Sequence, residues 1–484
     1  MTYIAYGVVA LVLWVVGRCV YNIFVHPLRN IPGPFLAKIS RWWLLTLEMR
    51  GNPHVEILEL HQKYGPILRI SPGEVSFNDI EASGVIYAQT SKFEKAEYFY
   101  RAFEDQAPNV FTMRDRQQHA HDKKLMSHAF SRANIVQHCA SIYDKAACLM
   151  DRITQRVKDG RTIPLFPAFR CMTLDTISEF AFGKSTGALE LEDFESTVFD
   201  AIDKSIRTVP FFQHFPILRE ALRWATYYNI SAVPNGFLAL GQAAEAAFDE
   251  MHTMGTWTMF QNMISSSEKT STKLTKEHLV SEAILMFVAG TDTTAAALAV
   301  TLHRLLQDPV AYRRLQEEVQ AVMPSLDSRP PIQDLDALPF LDACVKEGLR
   351  ITCPSRVRLP RSVPEGGWTF KGHYFPPKTI VSLSPLFFLY NDTVFPSPES
   401  FNPSRWLVDD DQKRQLMSYF HPFSRGSRQC IGQNLSLIEQ KIVLSMLVRR
   451  FNPREVLKKN ISMQEAITAQ IKDPVEVRME LATD

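Results

Sequence analysis

The sequence predicts a mainly α-helical domain with small β-sheets, preceded by a single membrane-spanning helix. Three observations carry that expectation: an apolar run at the start, apolar residues at helical spacing through the middle, and a proline-rich texture toward the end. With 484 residues, 46% of them hydrophobic and 22% charged, the chain can bury a large core. A formal net charge of +1 and the lack of a long Lys/Arg tract give no electrostatic case for nucleic-acid binding. Seven cysteines without a CxxC pair argue against a disulfide framework or a structural zinc site, and for a reducing compartment around the body.

The first element runs from Tyr3 to Val25 (YIAYGVVALVLWVVGRCVYNIFV), about the length of a membrane span, with Arg18 its one charge. A buried core helix is the alternative, disfavoured by the length and terminal position of the run. The apolar stretch leads into HPLRNIPGP rather than a small-residue cleavage site, so it reads as a retained anchor and not a signal peptide. Arg29 and Lys38 follow it and place the body on the cytosolic side. Pro32 and Pro34 cannot continue a helix and make a stiff joint. The expected division is an anchor over 1–25, a proline-containing joint and linker over 26–52, and a single catalytic domain over 53–484.

Within the body, HVEILELHQKYG has helical spacing, and PILRI and EVSF flank the turn Ser71-Pro72-Gly73, predicting a small sheet. Helical spacing follows at 116–130, 133–158, 172–183, 236–265, 276–307, 309–323 and 339–351. Beyond 354, ten prolines from Pro354 to Pro422 break the pattern into short strands and loops, before a last helix over 433–450.

The most specific chemical signal is Phe423-Ser-Arg-Gly426-Ser-Arg428-Gln-Cys430-Ile-Gly432. A cysteine in a glycine-bracketed loop just before a helix has its sulfur near backbone N–H groups and the positive helix end, which favours thiolate and metal ligation. Gly426 and Gly432 permit the close approach that a flat macrocycle against the loop requires. This loop resembles the haem-binding loop of the cytochrome P450 family, F-x-x-G-x-R-x-C-x-G. The resemblance implies the P450 fold and haem b, with Cys430 as the axial iron ligand and Phe423, Gly426, Arg428 and Gly432 against the cofactor.

Other landmarks agree in order and spacing. Glu347-Gly-Leu-Arg350 matches the family's E-x-x-R, whose i, i+3 spacing puts both charges on one helix face. Phe401-Asn-Pro-Ser-Arg405-Trp406 matches the segment supplying a third partner, so the resemblance implies a buried network of Glu347, Arg350 and Arg405 that locks the Cys430 loop. In Ala289-Gly290-Thr291-Asp292-Thr293-Thr294, small residues interrupt a bulky apolar helix and leave room on one face, as a helix passing over a cofactor needs. A core helix with satisfied threonines is the plainer reading, but an acid inside an apolar helix calls for a reason. The family's matching acid and alcohol deliver protons, which makes Asp292 and Thr293 the implied relay. His119, Lys123, Arg361 and Arg428 are the implied partners of the haem propionates. His119-Ala-His121-Asp-Lys123 departs from the common W-x-x-x-R, and lysine lacks the planar fork of arginine. His119, His121 and His128 offer zinc as an alternative, but no nearby cysteine or carboxylate pattern completes a tetrahedral set.

The resemblance extends from the anchor to the last helix and implies a monooxygenase that uses dioxygen. No G-x-G-x-x-G fingerprint is present, so electrons are expected from an NADPH-cytochrome P450 reductase in the endoplasmic reticulum membrane. Family position implies a pocket drawing on Phe99, Tyr100, Phe103, Phe111, the stretch 210–228, Ala289, Val357 and Ile467. Such a pocket favours a lipophilic small molecule. Segments such as LHQKYGPILRISP and FSRGSRQCIGQNLS are most similar to filamentous-fungal enzymes of secondary metabolism, trichodiene-oxygenase-like members among them. A terpenoid is therefore the first expectation, and a polyketide- or alkaloid-derived scaffold the second. A haem isomerase or dehydratase working without dioxygen is an alternative, although relatives of that kind tend to lack the acid–alcohol pair. A non-enzymatic haem carrier would leave Asp292 and Thr293 without a purpose. A serine hydrolase is set aside because no G-x-S-x-G elbow occurs.

Overall fold

The computed structural model describes residues 2–104, 106–227, 236–251, 257–269, 274–465, 468–472 and 474–482. The apolar N-terminal run forms the helix Thr2–Val20, continued by the π-helical turn Tyr21–Val25. Its side chains are almost all exposed, as suits a candidate membrane anchor. The helix Lys276–Leu306 is also long and apolar enough to span a bilayer, but it lies mostly inside the protein and is the central core helix.

That central helix starts where Thr275 Oγ1 accepts from His278 N–H at 3.2 Å, an N-cap. The helix Leu165–Phe182 crosses it, and there a Cβ on Gly290 would sit 2.6 Å from Ile177 Cγ1. Gly290 thus also serves close helix–helix approach, a second demand beyond the room on one face that the sequence suggested. Thr173 Oγ1 donates to the Thr291 carbonyl at 2.9 Å and ties the two helices together.

A five-stranded sheet lies beside the helices in the order Ile67–Ser71, Glu74–Phe77, Ile380–Ser382, Arg361–Ser362, Glu94–Lys95. The first pair is the antiparallel hairpin expected around Ser71-Pro72-Gly73, with Ile67 opposite Phe77. At the other edge Lys95 stands opposite Arg361. Residues 26–52, expected as joint and linker, pack into the body: Leu28 and Ile31 join the core of this sheet, and Leu44 and Leu47 join a neighbouring cluster. Arg69 holds the joint in place. Its backbone N–H donates to the Pro32 carbonyl at 2.7 Å, and its guanidinium donates to the carbonyls of Asn22 at 3.0 Å and Pro72 at 2.8 Å.

Several elements differ from expectation. The pattern over 133–158 divides into Arg132–Gln137 and Cys139–Lys158, because His138 leaves α geometry and bonds three residues back to the Ile135 carbonyl. The helix expected from 172 begins at Leu165, with Pro167 in the first turn where a missing N–H costs nothing. The pattern over 236–265 gives Gly236–Met251 and Met259–Lys269. The helix Thr197–His214 forms in spite of the internal Pro210. After the last helix Gln433–Arg450 the chain returns to strands: Phe451–Val456 pairs with Glu476–Leu481, and Met463–Glu465 pairs with Ala469–Ile471.

Candidate active site

The Cys430 loop is built by short-range turns. Gln429 N–H donates to the Gly426 carbonyl and Cys430 N–H to the Phe423 carbonyl, each at 3.0 Å. Gly426 adopts φ +73°, and a Cβ there would lie 2.0 Å from the Tyr87 carbonyl oxygen, so only glycine serves. Gly432 differs from the expectation of a special backbone: its φ is −79°, and a Cβ would meet only Cys430 Sγ, at 3.9 Å. Glycine there keeps the space beside the sulfur clear. Desolvation at the floor of a cavity pushes the Cys430 thiol up; the Gly432 N–H, the Lys123 ammonium and the Gln433 N–H oppose this, the glycine and glutamine standing at the start of the last helix. The helix start thus favours thiolate as expected, against the effect of desolvation.

Cys430 opens into a cavity of about 310 Å³ lined by Phe423, Gly432, Ala289, Thr293, Val357, Tyr100, Phe103 and Phe111 among others. A second cavity of about 1110 Å³ adjoins it, and the two share His119, Lys123, Arg361, Arg428 and Gln429. The four expected propionate partners therefore converge, but three already donate to the protein. Lys123 Nζ bonds the Ser427 and Gln429 carbonyls at 2.9 Å each and braces the cysteine loop. Arg428 donates to the carbonyls of Met113 and Arg114, both at 2.9 Å. Arg361 donates to the Tyr100 hydroxyl at 2.6 Å. Burial, with help from Lys95, Arg428, Lys123 and Arg361, pushes His119 down to about 2, so its imidazole is neutral.

Sequence reasoning missed Lys95, which belongs to no motif and reaches the site by pairing with Arg361 in the sheet. Its Nζ donates to the Phe111 carbonyl at 2.5 Å, and burial followed by the charges of Arg428, Arg361 and Lys123 pulls it well below the usual lysine range. Cations that depress one another in a buried rim make a place for an anion. The carboxylates of a haem fit that rim, and its flat face fits the space kept clear beside Cys430. The zinc alternative finds no support, since no group of three or more His, Cys, Asp or Glu is placed to hold a metal among the described residues.

Thr293 lines the cavity and donates to the Ala289 carbonyl at 2.9 Å, whereas Asp292 is not among the lining residues and lies fully buried behind it. Arg170 Nε donates to Asp292 Oδ1 at 2.8 Å, and Gln470 Nε2 donates to Oδ2 at 2.7 Å. Burial raises the Asp292 carboxyl against the pull of Arg170 and Gln470, which brings it nearer neutral pH than an exposed aspartate. Thr294, not singled out by the sequence, also lines the cavity and donates to Ser436 Oγ at 2.8 Å.

Glu347 and Arg350 are both wholly buried. The Glu347 carboxylate accepts from Arg350 Nε and Nη2 at 3.0 and 2.9 Å, from Arg405 Nε at 3.0 Å, from Asn402 N–H at 2.9 Å and from Trp406 Nε1 at 2.9 Å. The Trp406 ring then meets Phe420 edge-on at 4.8 Å, three residues before Phe423, and so links the network to the cysteine loop.

Of the expected pocket residues, Phe99 packs behind Tyr100 at 5.1 Å and does not line the cavity. The stretch 210–228 supplies no lining residue among those described, while Tyr228 and Ile467 lie outside the described residues.

The family model for Cytochrome P450 matches residues 32–477. The chain belongs to the cytochrome P450 family. Among its relatives, the cytochrome P450 monooxygenase sdnE of Sordaria araneosa is 30% identical over 465 residues, spanning 91% of this chain and 90% of the relative. The monooxygenase aflU of Aspergillus parasiticus is 30% identical over 490 residues, 98% and 97% of the two chains. TRI4 of Fusarium sporotrichioides is 29% identical over 481 residues, 96% and 92%. This cytochrome P450 is accordingly a monooxygenase whose family uses a haem iron. When bound, that group supplies the iron centre at which dioxygen is activated.

Proposed function

We propose that this cytochrome P450 inserts one oxygen atom from dioxygen into a lipophilic secondary-metabolite intermediate, a terpenoid first and a polyketide- or alkaloid-derived scaffold second. The observation that carries this reading is one cavity that gathers Cys430 Sγ, the Thr293 hydroxyl and an apolar wall of Phe103, Phe111, Ala289 and Val357. The apolar wall binds and orients the substrate and excludes water. Cys430 would ligate the iron, and Arg361, Arg428, Lys123 and His119 would hold the propionates, with Lys95 beside them. Thr293 holds a proton at its Oγ1 on the cavity side, and Asp292 resupplies it from behind. The exposed apolar helix at the N-terminus supports anchorage in the endoplasmic reticulum membrane, with Arg29 and Lys38 on the cytosolic side where an NADPH-cytochrome P450 reductase provides electrons.

The test is an optical titration of the purified ferric protein with terpenes, polyketides and fatty acids. A Soret shift toward high spin with terpenes alone supports the first reading, and a shift confined to polyketides supports the second. Lack of a thiolate-type Soret band, or a band unchanged by Cys430→Ala, sinks the assignment of Cys430. Product formed without reductase or dioxygen replaces oxygen insertion by isomerisation or dehydration.

A further inference from the structure

We propose that Gln470 is a positioning residue that couples Asp292 to the substrate side of the cavity through Thr468. This rests on the reading of Asp292 as a proton-handling group, and it adds a control over that group.

Gln470 spends its side-chain N–H donors on two partners. Nε2 lies 2.7 Å from Asp292 Oδ2 and 2.9 Å from Thr468 Oγ1. Thr468 is 6% exposed and lines the cavity, while Asp292 has no exposed surface. One primary amide therefore bridges a wall residue that a bound molecule can touch and an acid that it cannot. The strand Ala469–Ile471 is held in register for this. Ala469 N–H donates to the Pro354 carbonyl at 2.8 Å, and Gln464 stands opposite Gln470 across the hairpin. Pro354 is itself a lining residue, so the strand is seated against the cavity wall.

Asp292 is gripped from two directions. On the outer side Arg170 holds Oδ1 and shares its guanidinium with Asp203, at 2.9 Å, on the helix Thr197–His214. On the inner side only Gln470 holds Oδ2 among the described residues. Displacing Thr468 by contact with a substrate turns the amide that ends on Oδ2, and the hydrogen bond there strengthens or weakens with its geometry. Occupancy of the cavity is thereby communicated to the proton donor, so that protons move when a substrate is present to receive the oxygen. The amide has no titratable proton of its own; it acts by orienting Asp292.

The experiment uses the full-length holoenzyme and needs no ligand for its first arm. Infrared difference bands of the Asp292 carboxyl, protonated or ionised, are assigned by their loss in Asp292→Asn and followed in Gln470→Leu and Thr468→Val. A shift in both variants is expected; bands that stay put in both overturn the proposal. In the second arm, trichodiene is the probe hydrocarbon and NADPH consumption is compared with hydrogen peroxide release. Gln470→Leu is expected to divert electrons to peroxide by at least about tenfold, toward the range general acid–base groups supply, without changing the ligand-induced Soret shift. Coupling in Gln470→Leu equal to the parent, with Asp292→Asn impaired, overturns the positioning role alone. Coupling in Asp292→Asn equal to the parent overturns the proton-handling reading beneath it.

Discussion

The indole N–H of Trp406 donates to Glu347 Oε2 at 2.9 Å, deep in the protein and 59 residues away along the chain. The same carboxylate holds Arg350 and Arg405, so one acid is shared by two cations while an aromatic ring carries its position toward the cysteine loop.

Removing that acid leaves the buried Arg350 guanidinium, and the partly buried Arg405 beside it, without a carboxylate. Glu347→Ala is expected to cost about 3–5 kcal/mol and to release haem, read by denaturant unfolding and by the Soret-to-protein absorbance ratio. Trp406→Phe keeps the ring but leaves a carboxylate oxygen short of one donor, a loss of about 1–3 kcal/mol. Parent-like stability of Glu347→Ala would show that the network is dispensable.

The two glycines of the loop separate folding from cofactor binding. Gly426→Ala meets both a left-handed backbone and the Tyr87 carbonyl, and is expected to destabilise the protein by upwards of about 2 kcal/mol. Gly432→Ala, at the helix N-cap, costs under about 1 kcal/mol of fold stability yet lowers haem retention. Equal effects of both changes on unfolding would contradict the distinction.

Acid sensitivity is expected to involve Glu48. Burial alone would raise its carboxyl, but the charge of Arg358 and the contact with His214 prevail and hold it at about 2. A folded-state value below the unfolded one gives stability that is complete above about pH 4.5 and is lost as the pH falls toward 2, on the order of 3 kcal/mol in all. Glu48→Gln should therefore flatten the acid limb of a stability-against-pH curve. An unchanged limb between pH 5 and 2 would remove Glu48 from the account.

Thr293 lines the cavity, and its hydroxyl is the one group that valine lacks, so its chemical role is separable from packing. Thr293→Val preserves shape and should leave the substrate-induced Soret shift intact while lowering product per NADPH by about 10²-fold. Thr293→Ser should restore most of it. A valine variant that couples like the parent would assign the proton route elsewhere.

The parts legible in the sequence were those whose chemistry is local. The Cys430 loop makes its turns within ten residues, and Glu347 and Arg350 meet on one helix face, so their motifs stand in the sequence, while the resemblance to the family implied their roles. Lys95, Arg170 and Gln470 were not legible, because each arrives through tertiary pairing: one across a sheet, one from a crossing helix, one from a late hairpin. The C-terminal strands were missed for a related reason. Short segments such as Met463–Glu465 have too few residues to establish a period, and their register comes from partners elsewhere, as where Glu465 N–H bonds the Gly51 carbonyl. Gly290 was read only in part: it lines the cavity, but its missing side chain also makes way for Ile177 of the crossing helix.

Arg69 gives the N-terminal helix a fixed bearing instead of a swivel. Its guanidinium reaches back to the Asn22 carbonyl, and Asn22 in turn donates to the Ile39 carbonyl at 3.1 Å, so the last turn of the anchor is stitched to the folded body from both sides. The body and the candidate anchor helix are thereby held at one angle to each other. A cut placed before Asn22 spares the stitching, whereas one placed beyond Ile31 also strips Leu28 and Ile31 from the sheet core. The seam for making a soluble form therefore lies inside the apolar run, some way ahead of the prolines that look like its natural end.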